Sequence, residues 1–376
     1  MKGTAVKRTR ILATAGACVA VVALAACSSS KPAASSSAAT SSATAAATSA
    51  AASSASASTA AAASSGSASS TAAASSGGET NAPSTAKKNY KISFIQGVAG
   101  DNFYITMQCG IQDEAKKLGV TVNTQGPAKF DPTLQKPILD SVVAAKPDGI
   151  LIAPTDVHAM QSPVDNAISA GIKVGLVDTT LGDPSKAVTA VASDNKGGGA
   201  AAFAAIKQLV PKGGKVMVLS VKPGISTTDL RTQGFEEAVK ADPSFNYLGV
   251  QYDNDDPTVA AQVTTAALQK DPDLVGIFAT NLFSAEGAAT GIKQAGKQSQ
   301  VKIVGFDAGP TQIKDLKAGT VQALVAQEPY QIGVDGLDQV VNALNGDSVT
   351  PKIQTGFSII TQQNVDSTNA AYKASC

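Results

Sequence analysis

Two pairs of stretches far apart in this chain nearly repeat one another. "AAKPDGILIAPTD" at 144–156 resembles "LQKDPDLVGIFATN" at 268–281, and "GIKVGLVDTT" at 171–180 resembles "QVKIVGFDAG" at 300–309. Each pair is a short apolar run that ends on a polar residue. Around them, strand-like runs alternate with stretches of helical period. "YKISFIQGV" (90–98), "VTVNTQ", "DGILIAP", "KVGLVD" and "VTAVAS" read as strands, since short, β-branched, uninterrupted apolar runs suit a parallel sheet buried on both faces. "NFYITMQCGIQDEAKKLG" (102–119) reads as a helix closed by Gly119, and "PTLQKPILDSVVAAK" as another despite Pro137. The round then begins again, with strands at "GKVMVLSV" (214–221) and "FNYLGVQY", and helices at "RTQGFEEAVKAD" (231–242) and "PTVAAQVTTAALQKD". A βαβα series that runs twice predicts two similar doubly wound parallel-sheet lobes facing each other. Ligands of open parallel sheets bind beyond the carboxyl ends of the strands. Asp178, Asn281 and Asp307 each follow an apolar strand, so all three are aimed at one cleft.

The front of the chain reads differently. Lys2, Lys7, Arg8 and Arg10 precede the uncharged run Ile11 to Ala26, which ends at "LAAC". A basic start, an apolar centre and a small-residue exit make an export signal. The run falls short of the roughly 20 residues of a membrane span. "LAAC" resembles a bacterial lipobox, which implies that Cys27 is lipidated and begins the mature chain. From Ser28 to about Ala86 the residues are almost all Ala, Ser, Thr and Gly. Such a stretch has nothing to bury against its ordering entropy and reads as a disordered stalk.

Thirty basic and 29 acidic residues give a net charge of +1, and no basic patch points to nucleic acid. His158 is the only histidine, which leaves one candidate at most for a histidine metal site or a catalytic triad; it reads as a helix-surface residue. "GIKQAGKQ" (291–298) lacks the Ser/Thr of a P-loop and ends a helix rather than opening one. "DNDDPT" (253–258) starts like a calcium loop, but Thr264 stands where the bidentate glutamate is needed. "GGG" at 197–199 reads as close helix packing near a hinge. No cofactor, metal or catalytic cluster is expected. Once the signal is removed and Cys27 lipidated, Cys109 and Cys376 are the only free thiols, and in an oxidising compartment they are expected to pair.

In order and spacing, "SFIQGVAGDNFYITMQCGIQDEAKKLG", "PDGILIAPTD", "VASDN", "VGFDAGP" and "VAQEPYQIGVDG" resemble the type I periplasmic binding proteins of the ribose-binding kind, the sugar-capturing subunits of ABC importers. The resemblance covers nearly everything from residue 90 onward. It implies a three-crossing hinge, with a first lobe at 90–193 plus 328–353, a second at 195–326, and a tail at 354–376 running back across the hinge. The signal would then be 1–26 and the stalk 27–89. The resemblance also implies a ligand set. Phe103 and Tyr104 match the family's aromatic pair, and Asp101 stands at its asparagine position just ahead. Asp178 matches the first-lobe aspartate and Arg231 the second-lobe arginine. Asn281 and Asp307 match polar residues after second-lobe strands, and Gln327 matches a glutamine at a crossover. Ala153 and Thr179 depart, standing where ribose binders place asparagine and arginine.

Carboxylates accept hydroxyl hydrogens, a guanidinium donates through a rigid fork, and aromatic faces cover C–H patches. This set suits a neutral sugar or polyol. The expected function is therefore ligand capture by a monomeric, non-enzymatic lipoprotein on the outer face of the cytoplasmic membrane, with delivery to an ABC permease. A sensor that presents a similar ligand to a membrane receptor is the alternative. A secreted enzyme would need a reactive cluster, and a sugar-responsive repressor would need a DNA-binding headpiece where the export signal stands.

Overall fold

The computed structural model describes residues 81–376. The export signal, Cys27 and most of the stalk lie outside the described residues. Among the described residues no helix is long and apolar enough to cross a membrane.

Twelve strands and nine helices alternate along this part of the chain. The first round is β1 (Lys91–Ile95), α1 (Asn102–Leu118), β2 (Thr121–Gln125), α2 (Pro132–Ala144), β3 (Gly149–Ile152), α3 (Gln161–Ser169), β4 (Lys173–Val177) and β5 (Thr189–Ser193). The second is α4 (Asn195–Leu209), β6 (Gly214–Ser220), α5 (Ser226–Lys240), β7 (Phe245–Tyr252), α6 (Pro257–Lys270), β8 (Leu274–Ala279), α7 (Leu282–Gln294), β9 (Lys302–Phe306), α8 (Pro310–Lys317) and β10 (Ala323–Gln327). The chain closes with α9 (Pro329–Asn345), β11 (Lys352–Thr355) and β12 (Phe357–Thr361).

The strands form two six-stranded sheets of matching order, β11-β5-β4-β3-β1-β2 and β12-β10-β9-β8-β6-β7. The repeated segments thus occupy equivalent places, β3 with β8 and β4 with β9. The first sheet is wholly parallel, and the second is parallel except where β12 runs antiparallel to β10. That exception follows from chain length. Only Gly356 separates β11 from β12, too little for the helical crossover a parallel partner needs. The chain passes between sheets at three places: from β5 into α4, from β10 into α9, and from β11 into β12. Gln354 and Thr355 belong to the first sheet, where they pair with Ala192 and Ser193.

Three expectations need adjustment. The ordered region starts before residue 90. Asn345 at the end of α9 accepts from the Lys87 amide at 3.0 Å and donates to the Thr85 carbonyl at 3.1 Å, so residues 81–89 dock on the first lobe rather than extending the stalk. The helix carrying Arg231 begins five residues earlier, at Ser226. Asp229 stabilises that first turn by lying at the positive end of the helix dipole and by accepting from the Gly224 amide at 2.9 Å. His158 is exposed on a turn before α3 rather than on a helix.

Each lobe has an apolar core between its sheet and helices. The second is built on an aromatic cluster of Phe203, Phe235, Phe245, Phe278 and Phe306. Gly199 lets α4 lie directly on α5, since a Cβ there would collide with the carbonyl of Arg231. Gly198 likewise leaves room for the Phe306 ring. The "GGG" stretch is a close-packing surface, as its sequence suggests.

Candidate functional site

Between the carboxyl ends of the two sheets lies a cavity lined by residues of both lobes. The lobes meet at its rim through hydrogen bonds. Lys222 Nζ donates to the Phe130 carbonyl at 3.0 Å, the Val157 amide to the Gly224 carbonyl at 3.0 Å, and the Thr180 amide to Ser226 Oγ at 2.9 Å. All eight residues expected at the site line this cavity: Asp101, Phe103, Tyr104, Asp178, Arg231, Asn281, Asp307 and Gln327.

The first lobe supplies Asp101, Phe103, Tyr104 and Asp178. Asp101 caps α1, and its Oδ1 accepts from the Phe103 amide at 2.8 Å. That cap fixes where the following aromatic pair points. Phe103 and Tyr104 stand edge to face, with ring centres 5.1 Å apart. The Tyr104 hydroxyl donates to Asp178 Oδ2 at 2.6 Å. A Cβ on Gly97 would fall on the Tyr104 hydroxyl and the Phe130 ring, so glycine there makes room for both.

The second lobe supplies Arg231, Asn281 and Asp307. Arg231 is 2% exposed and stacks on the Phe306 ring, its guanidinium carbon 3.8 Å from the ring centre. Its Nε donates to Asn195 Oδ1 and its Nη1 to the Thr280 carbonyl, each at 2.8 Å. Nη2 is buried and has no protein acceptor. Asn281 is the N-cap of α7, where its side chain accepts from the Ser284 amide, and it also donates to Asp255 Oδ1 at 2.6 Å. Gln327, at the crossover from β10 to α9, links three elements. It accepts from Ser193 Oγ at 2.7 Å and donates to Asp307 Oδ1 at 2.6 Å.

The sequence reading missed Asp255, Phe130, Tyr372 and an apolar and hydroxyl wall of Val221, Ile225, Thr227 and Thr228; all but Tyr372 line the cavity. Asp255 belongs to the acidic stretch weighed as a calcium loop. That stretch turns sharply after β7, with positive φ at Asn254 (56°) and Asp255 (61°), and the turn carries Asp255 to the cavity. β7 is the second-sheet counterpart of β2, so the stretch leaves the sheet at its carboxyl end, where the cavity lies. Ala153 is fully buried, and Thr179 Oγ1 donates to the Pro154 carbonyl at 2.7 Å, so neither side chain lines the cavity.

Four carboxyl groups share this enclosure, and burial is the main influence on each. It pushes Asp178 up to about 6, against the lowering effects of Arg231 and the Tyr104 hydroxyl. It pushes Asp255 up to about 7, against the Asn281 hydrogen bond. Asp101 is held well above the ordinary range by burial and then by the neighbouring Asp307 and Asp255. Asp307 is raised by burial, with Arg231, Gln327 and Tyr372 opposing. The cavity thus gathers four buried carboxyl groups around one guanidinium.

The architecture and this interlobe cavity define a two-lobed solute-binding protein. A family model for the periplasmic binding protein domain matches residues 92–348, and the chain belongs to that family. It is 31% identical over 277 residues to the ribose import binding protein RbsB of Bacillus subtilis, covering 74% of this chain and 89% of that one. It is 32% identical over 260 residues to the D-allose-binding periplasmic protein of Escherichia coli, covering 66% and 83%. Among solved structures, a solute-binding protein of an ABC transporter from Agrobacterium vitis, bound with α-D-tagatopyranose, is similar with a TM-score of 0.74 and 38% identity, covering 76% of this chain and all of that one. These relatives are binding proteins, not enzymes.

Proposed function

We propose that the protein captures a neutral monosaccharide or sugar-like polyol between its lobes and delivers it to an ABC permease. The observation that carries this reading is the donor and acceptor inventory of the cavity. In Asp101, Asp178 and Asp255 the protein's hydrogen bonds fall on one carboxylate oxygen, and the other is left for a ligand hydroxyl. Arg231 Nη2 is a buried donor that wants an acceptor. A hydroxyl is both donor and acceptor, so one polyhydroxylated ring answers both demands. Phe103 and Phe130 supply apolar surface for its C–H faces. An anionic ligand would meet four carboxyl groups with a single arginine to offset them. The relatives that bind ribose, allose and tagatose lie within the same range of solutes.

Lipidation of Cys27 and anchoring on the outer face of the cytoplasmic membrane form part of the proposal, on the strength of "LAAC" and the Ser/Ala-rich stretch behind it. The first test is a thermal-shift screen over pentoses, hexoses, 6-deoxyhexoses and alditols, followed by calorimetry on those that stabilise. A neutral sugar should raise Tm and bind one to one. Stabilisation by sugar phosphates or amino acids alone would overturn the assignment.

A further inference from the structure

The last 15 residues leave β12 in the second sheet and end on α1 of the first lobe. Cys376 is bonded to Cys109 in α1, with Cα atoms 5.3 Å apart, and the bond joins positions 267 residues apart in the chain. Just before that anchor the tail is held to the first lobe by two more bonds. The Lys373 amide donates to Thr106 Oγ1 at 2.7 Å, and Asn102 Nδ2 donates to the Lys373 carbonyl at 3.1 Å. One residue earlier it is held to the second lobe, where the Tyr372 amide donates to the Ala308 carbonyl at 2.9 Å. The Tyr372 side chain turns inward and is 5% exposed. Its ring lies against Phe103, with centres 6.0 Å apart. Its hydroxyl donates to Asp307 Oδ1 at 3.0 Å and accepts from the Gln327 amide at 3.1 Å.

We propose that Tyr372 is a positioning residue for the ligand site: the disulfide-anchored tail inserts it behind the cavity, where it fixes the Asp307 carboxylate and ties that carboxylate to the first lobe. This rests on the reading of the cavity as a sugar site. Asp307 is otherwise oriented by Gln327 and by the Leu282 backbone amide, and the Gln327 and Tyr372 donors converge on Oδ1. With Oδ1 engaged twice, rotation of the carboxyl group is blocked and Oδ2 keeps a fixed direction. The same tyrosine touches Phe103, so one side chain spans a first-lobe aromatic and a second-lobe acid. A short segment covalently fixed to one lobe thereby biases how the other lobe presents its carboxylate. The other charged groups that bear on Asp307 are Arg231 from α5, which favours its ionised form, and Asp101, Asp178 and Asp255, which disfavour it.

Tyr372→Phe keeps the ring against Phe103 and removes only the hydroxyl. Two measurements on the full mature chain decide the matter. The first needs no sugar. The Asp307 carboxyl is followed by carbon-13 NMR from pH 4 to 9, and its midpoint should rise in the variant because a donor to the ionised form is gone; the Gln327 amide, having lost its acceptor, should exchange faster. The second is calorimetry with D-tagatose, D-fucose, D-ribose and D-allose. The wild type's preferred sugar should bind roughly tenfold more weakly to the variant, with the acid limb of its pH profile moved upward. A purely structural role would weaken binding without moving that limb. Replacing Cys109 and Cys376 together by Ser tests the tether, and the Tyr372 and Lys373 amides should then lose protection. If the Asp307 midpoint and the sugar affinity both stay at wild-type values in Tyr372→Phe, the positioning role is wrong. If those amides stay protected without the disulfide, the tether claim falls. Should none of the four sugars bind the wild type, the choice of ligand fails, and the NMR titration still decides the role of Tyr372.

Discussion

Asp178 and Asp307 occupy the same position in the two sheets. Each follows the fourth strand of its round, and each donates its amide to the next strand, Asp178 to Val191 at 2.8 Å and Asp307 to Val325 at 2.9 Å. Each has a positive φ, 63° and 78°. Non-glycine residues pay for that conformation, and aspartate tolerates it better than most. The backbone leaves the ladder sharply at both places, and this presents the carboxylates to the cavity from opposite sides. The repeated segments 171–180 and 300–309 are the sequence trace of that pairing.

The first consequence concerns the charged ligand contacts. Asp307→Ala and Arg231→Ala each remove a buried, charged hydrogen-bonding partner, and a hydrogen bond to a charged group is worth about 1.5–3 kcal/mol. Affinity for the bound sugar should fall about 10- to 150-fold in each variant by calorimetry. Circular dichroism should show an unchanged fold. Wild-type affinity in both would mean that the site lies elsewhere.

The buried carboxyl groups set a pH dependence of stability whose sign runs against ordinary acid denaturation. Burial raises Asp101 and Asp307, brings Asp178 to about 6, and brings Asp255 and Asp253 to about 7. An unfolded aspartate titrates near 3.9. Between those values the folded protein holds more protons than the unfolded chain, so stability falls as pH rises through that interval. Without added sugar, urea unfolding should show greater stability at pH 5 than at pH 7.5. A flat or rising profile would contradict the burial of these groups.

Sugar binding should release protons. Ligand hydroxyls that donate to these carboxylates favour the ionised form and lower its pKa. Affinity should therefore climb with pH through about 6 to 7. Calorimetry at pH 6.5 in buffers of different ionisation enthalpy measures the release directly. An observed enthalpy independent of buffer would contradict it.

Packing of α4 on α5 places Arg231, and Gly199 permits that packing. Gly199→Ala forces a Cβ against the carbonyl of Arg231, backbone that cannot give way cheaply. Overpacking of this kind costs about 1–3 kcal/mol. Tm should drop, and sugar affinity should weaken alongside it because the guanidinium moves with its helix. Wild-type affinity in a destabilised variant would uncouple the two.

Attachment to the membrane is tested at Cys27. Cys27→Ser should move the protein from the membrane fraction to the soluble one after export, since one unmodified apolar signal is a poorer anchor than two lipid chains. Retention at the wild-type level would count against the lipid.

Much of this protein could be read from its sequence because the relevant physics is local. Apolar runs of strand length, helical periodicity and caps such as Asp101 and Asn281 depend on neighbours a few residues away. A repeat carries a fold twice and so reveals its own symmetry. Asp178, Asn281 and Asp307 were legible for that reason, as residues that end apolar strands. The pairing of Cys109 with Cys376 followed from elimination. Tertiary structure decided what depends on residues distant in sequence. Asp255 reached the cavity through a left-handed turn that its acidic stretch did not announce. Arg231 kept one free nitrogen only because Asn195 and Thr280 take up the others. Tyr372 came to lie on Asp307 because a disulfide and a run of hydrogen bonds carry the tail across both lobes. The carboxyl groups ended as neighbours in one enclosure, and their proton affinities depend on burial and mutual repulsion. No sequence spacing encodes those quantities.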